Sequence, residues 1–200
     1  MIIDFNNLTK SQVYFTMIQT LIPRPIAWVL SQHENGKLNL APFSYFNGVA
    51  SEPPLLMISA GRKRSGEQKD TWANIEARNS FVVHIPSTAH ASEVTQSADS
   101  LDAGVSEIEA LGIETVPMEG FHLPRLKHAK VAFGCKLHEI IEFGNSTQAM
   151  ILGEIQCLFV EDDLVHSEGK RLTIDPTGID PLARLGGKFF SGITAPFEKS

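Results

Sequence analysis

Val131, Phe133, Cys135, Leu137, Ile141 and Phe143 occupy alternate positions, with Glu139 alone breaking the series. A period of two sends every second side chain to the same side of an extended chain, so this segment predicts a strand with one buried face. Gly144-Asn145 supplies a turn, and Thr147 to Val160 returns with apolar residues on both faces, the pattern of a central strand. A long antiparallel hairpin this deep in the chain needs other strands on its flanks to bury it.

The rest of the sequence offers them. Ile26 to Ser31 is a compact apolar run directly after Pro23-Arg24-Pro25, whose prolines disfavour a helix and mark an edge or an entry. Glu34-Asn35-Gly36 is a tight-turn signal, because Asn-Gly accepts positive φ cheaply, and Leu38 to Phe46 resumes beyond it as the second arm of a hairpin. Leu55 to Ala60 and Phe81 to Ile85 are further runs of strand length. Helices are fewer. Asp70 is placed to cap a helix through Asn79 with Trp72 and Ile75 on one face, and Ala91, Val94, Ala98 and Leu101 repeat at helical spacing. Ser106 and Glu109 form a capping box for a short helix that Gly112 would stop. Strands parted by turns, with helices inserted between some of them, predict an antiparallel barrel decorated by helices. No repeat, linker or low-complexity tract divides residues 1–200, which read as one domain.

Composition narrows the function classes. With 42% hydrophobic and 20% charged residues in a chain of 200, a normal core is attainable. A net charge of −6 speaks against broad attraction to nucleic acid or to an anionic membrane, both of which need a basic face. Cys135 and Cys157 are too few and too far apart for a disulfide framework or a CxxC pair, and read as buried thiols of a reducing compartment. Asp4, Asn6 and Asn7 interrupt the start where a signal peptide would be apolar, and no window reaches the roughly 20 apolar residues of a membrane-spanning helix. A cytoplasmic protein is expected.

Several chemistries find no support. Gly61 and Gly66 have P-loop spacing, but Glu67 and Gln68 follow where Lys and a hydroxyl belong. There is no GxGxxG after a strand, no GxSxG elbow, and His138-Glu139 sits in an alternating segment with Glu at position 142, so no pair of histidines shares a helical face for zinc. No catalytic side chain and no metal ligand is nominated, and an enzyme built on this sequence must take its chemistry from a cofactor.

Three segments are suited to hold one. Pro23 to Val29, continued by Leu40-Ala41-Pro42-Phe43-Ser44-Tyr45-Phe46-Asn47, alternates apolar residues with small polar ones, a wall that suits a flat heteroaromatic ring; an ordinary barrel core with a polar rim has the same composition. Lys69-Asp70-Thr71, preceded by Arg62-Lys63-Arg64, sets a helix start, a hydroxyl and cations together, as a phosphomonoester requires, with Asp70 assigned to the cap; a solvated basic loop before a capped helix reads identically. In Ala183 to Phe190, the pair Gly186-Gly187 permits close backbone approach beside two aromatic residues that could cover a ligand or a second subunit, or form a plain terminal turn.

In order and spacing these three blocks resemble the flavin reductase-like family from about Leu21 to Phe190, most strongly over Pro23 to Pro54 and Lys69 to Ile85. The resemblance implies a mainly β fold with inserted helices, an antiparallel split β-barrel of Greek-key, FMN-binding type. It implies FMN at the interface of a homodimer, with the ring and ribityl chain near Ser44, Tyr45, Phe46 and Asn47, the phosphate near Ser59, Arg62, Lys69 and Thr71, and Arg24 reaching the cofactor or serving the barrel mouth. It further implies NAD(P)H as a transient donor whose hydride passes to flavin N5, or else a carrier that holds FMN and exchanges electrons with a partner protein. Two positions depart from the family pattern. His84 stands where Phe81-Val82-Val83 usually continues into Asn, and Asn145-Ser146 replaces a Gly-Asp-His turn; both are expected near the substrate side.

Overall fold

The computed structural model describes residues 1–99, 101–102, 104–169 and 171–198. Seven antiparallel strands form its main sheet, in the spatial order Leu38–Phe43, Ala27–Gln32, Ser80–His84, Val131–Glu142, Gln148–Val160, Pro54–Gly61 and Phe46–Ser51. Both hairpins expected from the sequence are present. Val29 lies opposite Ala41 across the first, with Gly36 at φ 83° in its turn, and Ile151 lies between Ile140 and Ile58 in the central strand.

The two edge strands, Leu38–Phe43 and Phe46–Ser51, are consecutive in sequence. Only Ser44 and Tyr45 separate them. The run Leu38 to Phe46, expected as one strand, therefore breaks at these two residues, and the chain crosses from one margin of the sheet to the other, curling it into a split barrel. Ser59 N–H donates to the Tyr45 carbonyl at 2.9 Å and fixes the crossing.

Alternation along Ala27–Gln32 sorts the core into two layers. Ala27 and Val29 turn inward to Phe43, Ile58, Phe81, Cys135 and Ile151, whereas Trp28 and Leu30 turn outward to Val94, Ile108, Leu123 and Leu126. Trp28 is secured on the outer side by its indole N–H, which donates to Ser97 Oγ at 2.9 Å. The strand has apolar cover on both faces, which explains why its sequence is a continuous hydrophobic run.

In Val131–Glu142, Phe133, Cys135 and Leu137 face the inner layer as the alternation requires, but Ile140 takes the next inward place rather than Ile141. The register slips opposite Leu152 and Gly153, where His138 is left unpaired between Leu137 and Glu139. A bulge adds one residue and exchanges the faces beyond it, which accounts for the polar interruption at Glu139. Cys135 is buried and free, and burial holds its thiol well above the ordinary range; Cys157 is free and half-buried.

The two longest helices among the described residues are α1, Lys10–Thr20, and α2, Asp70–Arg78. The first was not foreseen. Thr9 caps it in a reciprocal box with Gln12, a readable S/T-x-x-Q signature. The second inserts Trp72 and Ile75 into the inner layer and closes one end of the barrel. Asp70 is not its cap: Lys69 holds that position without a side-chain bond, and Asp70 lies in the first turn, paired with Lys63. The helical run expected through Leu101 stops at Gln96, whereas Ser106 does cap Glu107–Leu111 ahead of Gly112 at φ 65°. Among the described residues, no helix is long and apolar enough to cross a membrane.

Candidate functional site

A cleft of about 330 Å³ opens where the two margins of the barrel meet. Ala41, Pro42 and Phe43 line it from one edge strand, Ser44 and Tyr45 from the crossing, Ser59 and Gly61 from the Pro54–Gly61 strand, and Arg62 and Lys69 from the loop that leads into α2. Tyr14 and Ile18 of α1 cover it, and Thr147 and Gln148 close its far side. Of the nine expected cofactor ligands, Ser44, Tyr45, Ser59, Arg62 and Lys69 converge here. A larger hollow of about 650 Å³, beside Trp28, His90 and His128, contains none of them.

The cationic end is built by α2. Its first N–H groups have no side-chain cap, since Lys69 makes no capping bond and Asp70 is engaged by Lys63, so the positive end of the helix is free to meet an anion. Arg62 stands beside it, its guanidinium 4.7 Å over the Trp72 ring and 2.9 Å from Glu142, while its backbone N–H donates to the Thr147 carbonyl. Lys69 is exposed and forms no ion pair among the described residues. Packing on Trp72 orients Arg62 before any ligand arrives, so little side-chain entropy remains to be lost on binding.

The other end is apolar with a polar rim. Burial, and secondarily the nearby Tyr14, push the Tyr45 phenol above its ordinary pKa, so it remains a protonated donor at neutral pH. Ser59 Oγ has no protein partner among the described residues, which leaves it open to a ligand.

Four expected ligands stand elsewhere. Arg24 is buried: its Nη1 donates to the carbonyls of Ile18 and Leu21, at 2.5 and 2.7 Å, and its Nε reaches Ser44 Oγ at 3.4 Å. It secures the C-terminal end of α1 over the cleft rather than lining it. Phe46 packs on the inner core layer, and Asn47 is exposed on the edge strand, where its Oδ1 accepts from the Gly48 N–H. Thr71 is 1% exposed, its Oγ1 accepting from Asn39 Nδ2 at 2.9 Å within a buried network that includes Ser31, Asn74 and His33. Thr71 stands one turn before Ile75, so the helical face that buries one buries the other. Thr71→Ala should therefore lower folding stability by about 1–2 kcal/mol in urea denaturation, by leaving the Asn39 amide without its partner, and should leave ligand affinity at the cleft unchanged.

His84 is also away from the cleft. It is fully buried, accepting the Leu126 N–H at Nε2 and facing the Trp28 carbonyl through Nδ1, each at 3.0 Å. Because Nε2 accepts, Nδ1 carries the proton, and the ring joins the first hairpin to the segment that covers the outer core. The expectation of a substrate-side role for His84 is corrected accordingly. The Asn145-Ser146 turn does adjoin the cleft, through Thr147. Tyr14 and Ile18 were missed, and the signal that could have found them was the Thr9–Gln12 box announcing a helix ahead of the first strand.

A flavin reductase-like domain model matches residues 19–175. Protein YwrF of Bacillus subtilis is 32% identical, over 98% of this chain and 96% of its own length, and a Deinococcus radiodurans protein is 34% identical over 92% and 82%. Among solved structures, nitrilotriacetate monooxygenase component B from Bacillus cereus superposes with a TM-score of 0.91 at 32% identity, covering 100% of this chain and 98% of that one. The Pseudomonas fluorescens 2-nitrobenzoate 2-nitroreductase NbaA gives 0.88 at 30%, covering 100% and 95%. Flavoredoxin of Desulfovibrio vulgaris shares the fold, with a TM-score of 0.78 at 19% identity over 100% and 97%.

Proposed function

Because this chain belongs to the flavin reductase-like family, we propose that it is an oxidoreductase that binds FMN in the cleft between α1 and the barrel margins and takes its electrons from NAD(P)H. The observation that carries this reading is the uncapped start of α2 beside Arg62 and Lys69, at one end of a cleft whose other end is apolar with a polar rim. That donor set fits FMN. Arg62, Lys69, Ser59 and the first amides of α2 hold a phosphomonoester, and Pro42, Ile18 and Tyr14 supply apolar and aromatic cover for a ring. When bound, FMN would supply the redox chemistry, as a hydride acceptor. The side chains need only orient and shield. Tyr45, protonated, would be a donor to the ring's rim, and α1, secured by Arg24, would limit water at the ring's face.

Anaerobic stopped-flow mixing of the FMN-loaded protein with NADH or NADPH tests the activity. Bleaching of the oxidised flavin band with either donor supports a reductase. Retention of FMN without bleaching by either would leave an electron carrier serving a partner protein.

A homodimer completes the site in this reading. The cleft's 330 Å³ is near the lower limit of about 300 Å³ for ligand pockets, tight for FMN, and the adjacent edge strand Phe46–Ser51 is exposed over nearly its whole length. Val49 presents apolar surface there at 53% exposure, and Leu21 and Ile22, just beyond α1, are exposed at 52% and 47%. A bare strand edge carrying apolar side chains invites a partner. Val49→Asp is expected to shift the protein to a monomer in sedimentation velocity and to weaken FMN binding at least about tenfold, with each desolvated charge costing several kcal/mol.

A further inference from the structure

The cleft has a second lobe. Tyr14, Pro42 and Ser44 belong to the walls of both, and beyond them about 270 Å³ opens between Ile26, Val94, Phe190 and Arg184. Tyr14, Ser44 and Thr95 put polar groups on its wall, and Arg184 is its one cation among the described residues.

That cation lacks a counter-charge. Arg184 lies directly opposite Arg24 on the antiparallel ladder between Arg24–Pro25 and Ala183–Gly186, and like charges in facing positions repel. Arg24 is engaged through Nη1 with the carbonyls at the end of α1, and among the described residues neither arginine pairs with a carboxylate. The Arg184 guanidinium lies 4.4 Å from the Phe190 ring centroid, and its Nη2 donates to the Gly187 carbonyl at 2.6 Å. Its Nε and Nη1 have no protein acceptor among the described residues. Partial burial, then Arg24, lower its pKa, as expected of a guanidinium held out of water beside another cation. It remains charged, and an anion in the lobe would relieve both effects.

The arrangement is sterically fixed. Gly186, at φ 105°, brings the hairpin so close under α1 that a Cβ there would lie 2.6 Å from the Ile18 carbonyl oxygen. The strand bearing Arg184 is held against the covering helix, and the guanidinium is positioned in advance by stacking on Phe190.

We propose that this lobe binds a small planar carboxylate as the second substrate of the enzyme, its ring among Ile26, Val94 and Phe190 and its carboxylate on Arg184. A guanidinium fork matches a carboxylate edge to edge. The volume, below the roughly 300 Å³ at which ligand pockets begin, suits a single substituted ring better than a whole dinucleotide. The place of this ligand beside the flavin rests on the function proposed above, whereas the lobe itself is formed by this chain alone.

Calorimetric titration with benzoate, of FMN-loaded and of flavin-free protein, tests the proposal. Benzoate is expected to bind saturably, and neutral benzamide, of the same shape, at least about tenfold more weakly. Arg184→Gln is expected to weaken benzoate to the level of benzamide. Equal binding of benzoate and benzamide to the unaltered protein overturns the proposal, and needs no variant to fold. So does an Arg184→Gln protein that keeps its benzoate affinity while its KM for the nicotinamide donor rises, which would assign the lobe to that donor. Failure to retain FMN with benzoate binding intact counts against the flavin reading alone; FMN retention without benzoate binding counts against this inference alone.

Discussion

His84→Ala should remove about 3–5 kcal/mol of folding stability, a large share of the roughly 5–15 kcal/mol that a domain of this kind possesses. The Trp28 carbonyl and the Leu126 N–H would both lose their partner in a place closed to water, each at about 1–3 kcal/mol, and a cavity would replace the ring. Urea denaturation at neutral pH measures the loss; a change below about 1 kcal/mol would mean that the ring does not join these segments.

The same residue makes the protein sensitive to acid. Burial, as the main cause, lowers the His84 pKa from 6.5 to about 4. The folded state keeps the ring neutral while the unfolded chain takes up a proton below pH 6.5, so stability is complete above that value and is lost as the pH falls toward 4. At pH 5 the loss should be about 2 kcal/mol, from 1.36 kcal/mol per unit over the part of the interval already crossed. Half-buried His90, also lowered chiefly by burial, adds a slope of the same sign. His84→Ala should flatten the stability profile between pH 7 and 5, leaving the His90 slope and, with the opposite sign, that of Glu107, whose carboxyl burial holds above its ordinary pKa.

Arg62→Ala should weaken FMN binding by about 2 kcal/mol, roughly 30-fold, with less than about 1 kcal/mol lost from folding. The asymmetry follows from its surroundings. Its link to Glu142 is half-exposed and its stacking on Trp72 is one contact of a ring otherwise buried in the core, whereas a phosphate would find in it one of two cations that the described residues place on the cleft wall. Flavin fluorescence quenching by the apoprotein gives the affinity. Unchanged binding in Arg62→Ala, together with lowered binding in Thr71→Ala, would reverse the assignment of these two residues.

The strands were legible because each carries its own pattern. Proline before Ile26, Asn-Gly between the first two strands and the alternation after Val131 are local signals, and local signals suffice for a hairpin. What escaped was set across the chain. The slip at His138 depends on how the partner strand passes Gly153, whose Cβ would meet Phe81 at 2.4 Å, so no reading of 131–143 alone would place Ile140 inward. The break at Ser44-Tyr45 is invisible to propensity, because both residues suit a strand; only closure of the barrel separates them. For the candidate site, the loop cations stood out by residue chemistry and the Ser44-Tyr45 pair by the family resemblance, and the structure sets them on one cleft. Thr71, and Arg24 in one of its two readings, were expected at the ligand because a hydroxyl and a guanidinium suit an internal bond as well as a ligand; in the structure both are buried and bonded within the protein.

Ser44 and Tyr45 are at once the clasp that joins the two margins of the barrel and part of the wall against which a ligand would rest. A ligand gripped there acts as a rivet through the seam. Parting the margins would require its release, so the free energy needed to open the seam rises with ligand concentration as RT ln(1 + [L]/Kd). Occupancy would then be recorded in the hydrogen-exchange rate of a single amide, the Ser59 N–H bonded to Tyr45, and the seam would report on the cofactor supply of its surroundings.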